Sequence, residues 1–162
     1  MVMESLKDTP AYSTIDRQSK WDKRYMEMAK LVASWSKDPS TQTGAVIVKD
    51  NQVIAVGYNG FPKGVDDTPE RLNTRELKYK MIIHCEINAM IGVPKHDLEG
   101  ATLYTWPFAS CSRCAVQVIQ AGIKRCVAPP IPEELKERWA EELQLTEVMF
   151  KEAGVKIDYL EE

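Results

Sequence analysis

Apolar side chains in the first third of the chain recur at helical spacing. Trp21, Tyr25, Met28, Val32 and Trp35 follow one another at alternating steps of four and three, which places all five on one face of an amphipathic helix. Ser19 and Asp22, on either side of Trp21, form a capping-box pair and predict the start of the run; Asp38-Pro39 predicts its end. Residues 1–18 are polar, contain Pro10 and show no periodicity, so they read as a loose N-terminal arm, with one domain over 19–162. The pattern then changes to β-rich runs, 44–49 and 53–57, joined by the turn-like Asp50-Asn51-Gln52. A long polar stretch, roughly 59–80, carries Gly60, Pro62, Gly64 and Pro69; loops of this length are usually functional, and 71–80 has room for a helix. Helical spacing returns over 83–91, a short strand follows over 101–106, and a helix over about 111–121 is closed by Gly122. A strand near 124–128, the breakers Pro129, Pro130 and Pro132, an acidic helix from 133 to about 152 and a strand over 155–160 complete the chain. This order is α/β in class and fits a three-layer α/β/α sandwich around a sheet of about five strands.

Composition narrows the function classes. The 162 residues suffice for one domain with a real core, and 44% apolar with 28% charged residues is ordinary for a globular chain. A net charge of −3 argues against a surface built to grip nucleic acid, while leaving room for one small anionic substrate. No apolar run approaches the roughly 20 residues that span a bilayer, and the first residues lack a signal-peptide core, so no membrane partner and a cytoplasmic location are expected. Cysteines stand at 85, 111, 114 and 126. In a reducing compartment Cys111-x-x-Cys114 reads as metal-binding or redox chemistry.

The chemistry concentrates in two short segments. His84-Cys85-Glu86 precedes Cys111-Ser112-Arg113-Cys114, with 27 residues from His84 to Cys111. One imidazole and two thiolates make a tetrahedral Zn2+ site that keeps a fourth position for water. Both halves fall at predicted helix starts, where partial positive charge favours thiolates. In mid-helix His84 and Glu86 would point about 200° apart. They converge on one site only if His84 lies in the extended entry to the first turn. Zinc lowers the pKa of a bound water towards neutrality, and Glu86 then serves as the proton shuttle, the division of labour in zinc base deaminases. Two other readings fit the same residues: a closed structural zinc knot with Cys126 or His96 as fourth ligand, and a thioredoxin-like redox pair. The redox pair lacks the expected βαβ start and the aromatic residue before its first cysteine. Cys85 reads as a small buried residue, His96 as a solvated one, and the Trp/Met stripe of the first helix as core or oligomer contact.

The segment His84-Cys-Glu-Ile-Asn-Ala-Met90 resembles the HAE-x-N-A-[IM] motif of the deoxycytidylate (dCMP) deaminases, a family within the cytidine deaminase-like zinc hydrolases. Thr43-Gly-Ala-Val-Ile-Val, Gly57-Tyr-Asn-Gly-Phe-Pro-Lys-Gly64, Lys78-Tyr79 and Cys114-Ala-Val-Gln-Val-Ile-Gln-Ala-Gly122 extend the match over about 20–128. The zinc motif alone indicates the superfamily; the GYNG-x-P-x-G segment narrows it. The resemblance implies hydrolysis of dCMP to dUMP and ammonia, one catalytic zinc per subunit, and a homo-oligomer, commonly a hexamer. It also implies activation by dCTP and inhibition by dTTP with Mg2+. By position, Asn59 would contact the sugar, the backbone N–H of Cys85 the pyrimidine carbonyl, and Ala109 would line the wall beside the amino group. Gly60, Lys63, Gly64 and Asp66 would lie at the effector pocket. Lys63, Arg71, Arg75, Lys78 and Lys80 are unranked candidates for phosphate contacts.

Three departures stand out. Cys85 replaces the usual alanine. Ser110 replaces the proline before the first cysteine, and Trp106-Pro-Phe-Ala-Ser110 is one residue longer than the common spacing. The tyrosine that some relatives use for substrate is replaced within 129–132. Other zinc deaminases, acting on tRNA adenosine, free nucleosides or riboflavin precursors, are the alternative enzymes; a non-catalytic zinc-stabilised binding module is the alternative outside enzymes.

Overall fold

Strand β1 (Gly44–Lys49) is buried from Gly44 to Val48, as a strand covered on both faces must be. A computed structural model describes residues 10–161. It places β1 second in a sheet of five strands ordered β2-β1-β3-β4-β5, with β2 (Gln52–Tyr58), β3 (Thr102–Trp106), β4 (Arg125–Ala128) and β5 (Lys156–Tyr159). β1 runs antiparallel to both β2 and β3, whereas β3, β4 and β5 are mutually parallel. Asp50 and Asn51 turn the β1–β2 hairpin with φ of 52° and 59°, the left-handed pair that a two-residue type I′ turn requires.

Alternation along β1 sorts the two faces. Val46 and Val48 meet Tyr25, Met26 and Ala29 of helix α1 (Pro10–Ala33), together with Tyr104 and Val127. Ala45 and Ile47 face the other way, towards Cys85 and Ala89 of α4 (Cys85–Met90), Ala115 and Val118 of α6 (Ser112–Ala121), and Phe150 of α7 (Lys136–Ala153). The result is the α/β/α layering expected from the order of elements. Between β2 and α4 lie α2 (Pro69–Asn73) and α3 (Arg75–Met81), and a single turn, α5 (Lys95–Leu98), precedes β3. Gly122 and Gly154 close α6 and α7 with φ of 93° and 76°, left-handed positions where a side chain would be strained.

The structure corrects the start and end of the first helix. It begins at Pro10, so residues 10–18 are helical and not a loose arm; positions 1–9 of that expected arm lie outside the described residues. Lack of apolar periodicity signals lack of a buried face, and a helix can continue without one. Asp22 does not cap. Its carboxylate is buried, accepting hydrogen bonds from Gln18 (2.9 Å), Tyr104 Oη (2.6 Å) and both terminal nitrogens of Arg125 (3.0 and 2.6 Å). At the other end α1 stops at Ala33, short of Asp38-Pro39. Trp35 is therefore outside the helix, half exposed, with its ring edge-on to Tyr58 at 6.1 Å.

Candidate active site

His84 sits in the extended entry to α4 (φ −71°, ψ 157°) and Cys111 in the equivalent entry to α6 (φ −67°, ψ 167°). The non-helical His84 is what lets residues only two apart share one site. His84 Nδ1 lies 3.2 Å from Cys114 Sγ and 3.5 Å from Cys111 Sγ, and one ligand atom from each residue falls within 4.8 Å of the others. Among the described residues this is the only His/Cys/Asp/Glu group so arranged. Cys126 lies in the core beneath the site, and the His96 side chain is mostly exposed beside Asp97, so neither completes a four-ligand knot.

The donor set fits zinc. The Cys111 thiol is brought down to about 5, first by the hydrogen bond from Cys114, with burial opposing and His84 assisting. That negative charge and burial push the Cys114 thiol up. The His84 ring is shifted up chiefly by its hydrogen bond to Cys111. The two sulfurs thus share one proton and one negative charge beside the imidazole, and a dication would displace that remaining proton and balance the two thiolates. One imidazole nitrogen and two sulfurs would leave a bound zinc one tetrahedral position, and His84 and Cys111 line a cavity of about 280 Å³.

Glu86 is 5% exposed and lines that cavity with His84, Cys85, Cys111, Asn59 and Ala109, so the residues expected to form the catalytic and base-binding set meet in one place. Cys85 contributes more than its backbone. Its thiol donates to Glu86 Oε1 at 2.7 Å, and burial, then the Glu86 charge, push its pKa well up, so the proton stays on sulfur. Asn59 holds the cavity wall: both amide hydrogens are engaged, with Thr41 O at 2.9 Å and Asp38 Oδ2 at 3.2 Å, while its Oδ1 accepts from Thr43 N at 2.9 Å. One lone pair on Oδ1 is left for a ligand.

Of the five cations considered for phosphate, Arg75 and Lys78 line the cavity; Lys63, Arg71 and Lys80 do not. Lys78 is buried and paired with the equally buried Asp38 at 3.0 Å, and Asp38 in turn receives the N–H groups of Ser40 and Thr41. Gly60 is held against Ile83 by a pair of backbone hydrogen bonds; it, Lys63, Gly64 and Asp66 lie outside the cavity wall.

Sequence reasoning missed the contribution of α7. Its Trp139 stacks on Phe108 at 5.7 Å and 29°, Arg138 reaches the cavity mouth, and the Glu142 carboxylate accepts from Ser112 N at 2.9 Å at the start of α6. The lengthened 106–110 segment builds this wall. After a cis Trp106–Pro107 bond, the Phe108 carbonyl accepts from Thr105 Oγ1 and the Ser110 carbonyl from Thr146 Oγ1 of α7, each at 2.9 Å. An acidic amphipathic helix offers no motif to announce this. The signal was the extra residue before Cys111.

The zinc-binding region of cytidine and deoxycytidylate deaminases matches residues 19–129 of this chain. The chain is 46% identical, over 88% of its length and 95% of the relative's, to the protein of Aliivibrio fischeri named uncharacterized deaminase in luxG 3′ region. It is 36% identical to the deoxycytidylate deaminase of Mus musculus, over 86% and 79% of the two chains. In fold it resembles the dCMP deaminase of cyanophage S-TIM5 solved with dCMP and dUMP, with TM-score 0.67 and 21% identity over 86% and 96% of the two chains.

Proposed function

The chain belongs to the cytidine and deoxycytidylate deaminase family, as a zinc-dependent deaminase, and we propose that its reaction is the hydrolysis of dCMP to dUMP and ammonia. One observation carries this reading: the His84, Cys111 and Cys114 cluster opens, with Glu86 beside it, into a cavity of small-ligand size. The identity to a deoxycytidylate deaminase supports the choice of nucleotide. His84 Nδ1 and the two sulfurs would hold zinc, which supplies the Lewis acidity that makes water a nucleophile near neutral pH. Glu86 takes the proton from the water that attacks C4, delivers it to the neighbouring ring nitrogen, and passes the next to the departing ammonia. Its burial keeps bulk water from competing for those protons. The Cys85 thiol fixes one carboxylate oxygen, leaving Oε2 as the working atom. Asn59 and Cys85 N–H are assigned to the sugar and the pyrimidine carbonyl, and Ala109 to the wall beside the amino group.

The regulation belongs to the same proposal. dCTP activates and dTTP inhibits, each with Mg2+, at a pocket formed around Gly60, Lys63, Gly64 and Asp66, in a cytoplasmic homo-oligomer for which a hexamer is favoured. Exposed Leu31 of α1 and Trp35 just after it, with Ile54, Val56 and Tyr58 on the edge strand β2, supply apolar surface for subunit contact. Among the described residues no helix is long and apolar enough to cross a membrane.

The zinc-loaded protein should release ammonia from dCMP in preference to dCTP, deoxycytidine or a tRNA anticodon stem. Absence of dCMP turnover, with and without dCTP, refutes the assignment. A dCMP saturation curve unmoved by dTTP refutes the regulation alone.

A further inference from the structure

Two guanidinium groups meet at the mouth of the cavity. Arg75 Nε of α3 donates to Tyr79 Oη at 2.9 Å, and Arg138 Nη2 of α7 donates to the same oxygen at 2.5 Å. Neither arginine forms a salt bridge among the described residues, although α7 is rich in glutamate. Like charges drawn to one neutral oxygen repel each other, and that repulsion is relieved by an anion between them. Tyr79 Oη already accepts twice, so its own hydrogen is free to be donated outwards, and each guanidinium has further N–H groups to offer. The arrangement is all donors and no acceptor. Lys78, next to Tyr79 in sequence, is not part of it, because its ammonium is buried against Asp38.

The location decides what the anion is. Arg75, Tyr79 and Arg138 line the same cavity that holds His84, Glu86 and Cys111 at its inner end. A ligand with its reacting ring at the metal cluster therefore extends its far end towards the clamp. Phe108 and Trp139, stacked on each other, line the same cavity. Arg138 and Trp139 lie beyond residue 129, where the match to the shared zinc-binding region ends. They also follow the Pro129–Pro132 segment, which lacks a tyrosine.

We propose that Arg75 and Arg138, tied together through Tyr79, form the clamp for the 5′-phosphate of the nucleotide, with α7 supplying the half of it that lies outside the common deaminase core. This rests on the nucleotide reading above and sharpens it. A dianionic monophosphate accepts from both guanidiniums and from Tyr79 Oη, while an unphosphorylated nucleoside leaves the two cations facing each other.

The test measures calorimetric affinities of the zinc-loaded protein for dUMP and deoxyuridine, alongside dCMP turnover by the unmutated enzyme. The unmutated protein should favour dUMP. Arg75→Gln and Arg138→Gln should each cut the dUMP-to-deoxyuridine affinity ratio about 10- to 100-fold, the range for a lost charge-assisted hydrogen bond. Arg138→Lys should restore part of the ratio, because charge survives but the fork does not. Tyr79→Phe should lower the ratio less than either arginine change. An unmutated protein with no preference for dUMP overturns the clamp, as does a ratio that stays the same in Arg75→Gln and Arg138→Gln. Equal weakening of both ligands also overturns it, since it marks a structural role. If the unmutated enzyme fails to turn over dCMP yet shows the phosphate-dependent ratio, the clamp stands and the dCMP assignment falls.

Discussion

Gly57→Ala is a sharp probe of how the sheet positions the catalytic groups. Gly57 lies on β2 opposite Ala45, directly beneath α4. A methyl group there would meet Ala89 N at 2.4 Å, Cys85 O at 2.6 Å and Ala89 Cα at 2.9 Å. All three are backbone atoms, so no side chain can swing aside. Since ordinary contact begins near 3.4 Å, α4 must retreat by about 1 Å. That helix carries Cys85 and Glu86 and follows directly on His84. Overpacking of this kind costs about 1–3 kcal/mol, and a loss of about 2 kcal/mol lowers the Tm of a chain this size by about 4–8 °C. A displacement of about 1 Å at a reacting group costs roughly 100-fold in rate. Gly44→Ala is the matching control, because its methyl would lie 2.1 Å from Ala29 O and so press on α1, on the opposite face from the site. Zinc content, calorimetric Tm and kcat on dCMP should be measured for both. Gly57→Ala should lose stability and kcat together; Gly44→Ala should lose stability while its folded fraction keeps kcat. Equal loss of kcat in the two variants, or a Gly57→Ala protein with unchanged Tm and kcat, would refute the argument that close packing of α4 on β2 sets the geometry of Glu86.

Three further outcomes follow from the site and its support. Glu86→Gln should lower kcat by at least about 100-fold while zinc stays stoichiometric, and metal loss in that variant would make Glu86 a ligand. Cys114→Ser should lose zinc and activity, whereas Cys126→Ser should keep both; zinc loss from the latter, measured by metal analysis, would mean a closed structural site. At Asp22 burial acts to raise the carboxyl, but hydrogen bonds from Arg125, Tyr104 and Gln18 outweigh it and hold the pKa below the usual carboxylate value. A depressed folded pKa gives stability that is complete above about pH 4 and is lost as pH falls through the folded value. Asp22→Asn should therefore cost about 3 kcal/mol near neutral pH, and its Tm should fall less steeply than that of the unmutated protein on acidification below about pH 4. Parallel pH curves for the two proteins would show that the Asp22–Arg125 pair has no such role.

The sequence made the site's chemistry legible where the chemistry restricts residue type. Only a few side chains bind zinc, so His84, Cys111 and Cys114 stood out, and the need for His84 and Glu86 to converge dictated the extended backbone that the structure has at His84. Strand positions were legible for a similar reason, since β1 is covered on both faces and is continuously apolar. The start of α1 was not, because its capping signal was a coincidence. Asp22 has the spacing of a cap but serves a buried ion pair with Arg125, a contact no local pattern encodes. The Asp38–Lys78 pair was hidden likewise, for charged residues look like solvated surface until the fold removes the water, and the reach of Arg138 to Tyr79 joins elements far apart in sequence.

The register of β1 against β3 bears on how the protein folds. Gly44 pairs with Trp106, and the loop so closed contains Asn59, Lys78, His84, Cys85 and Glu86. Closing so long a loop is costly in chain entropy, whereas His84 and Cys111, 27 residues apart, span a much shorter one. The ligands on the two sides of β3 therefore close the shorter loop, and a bound cation would tie α4 to α6 across that strand. A cation that binds the folded chain and not the unfolded one stabilises it in proportion to the logarithm of free metal. The cation would then act as a latch across β3, and the stability of the fold would track the supply of metal.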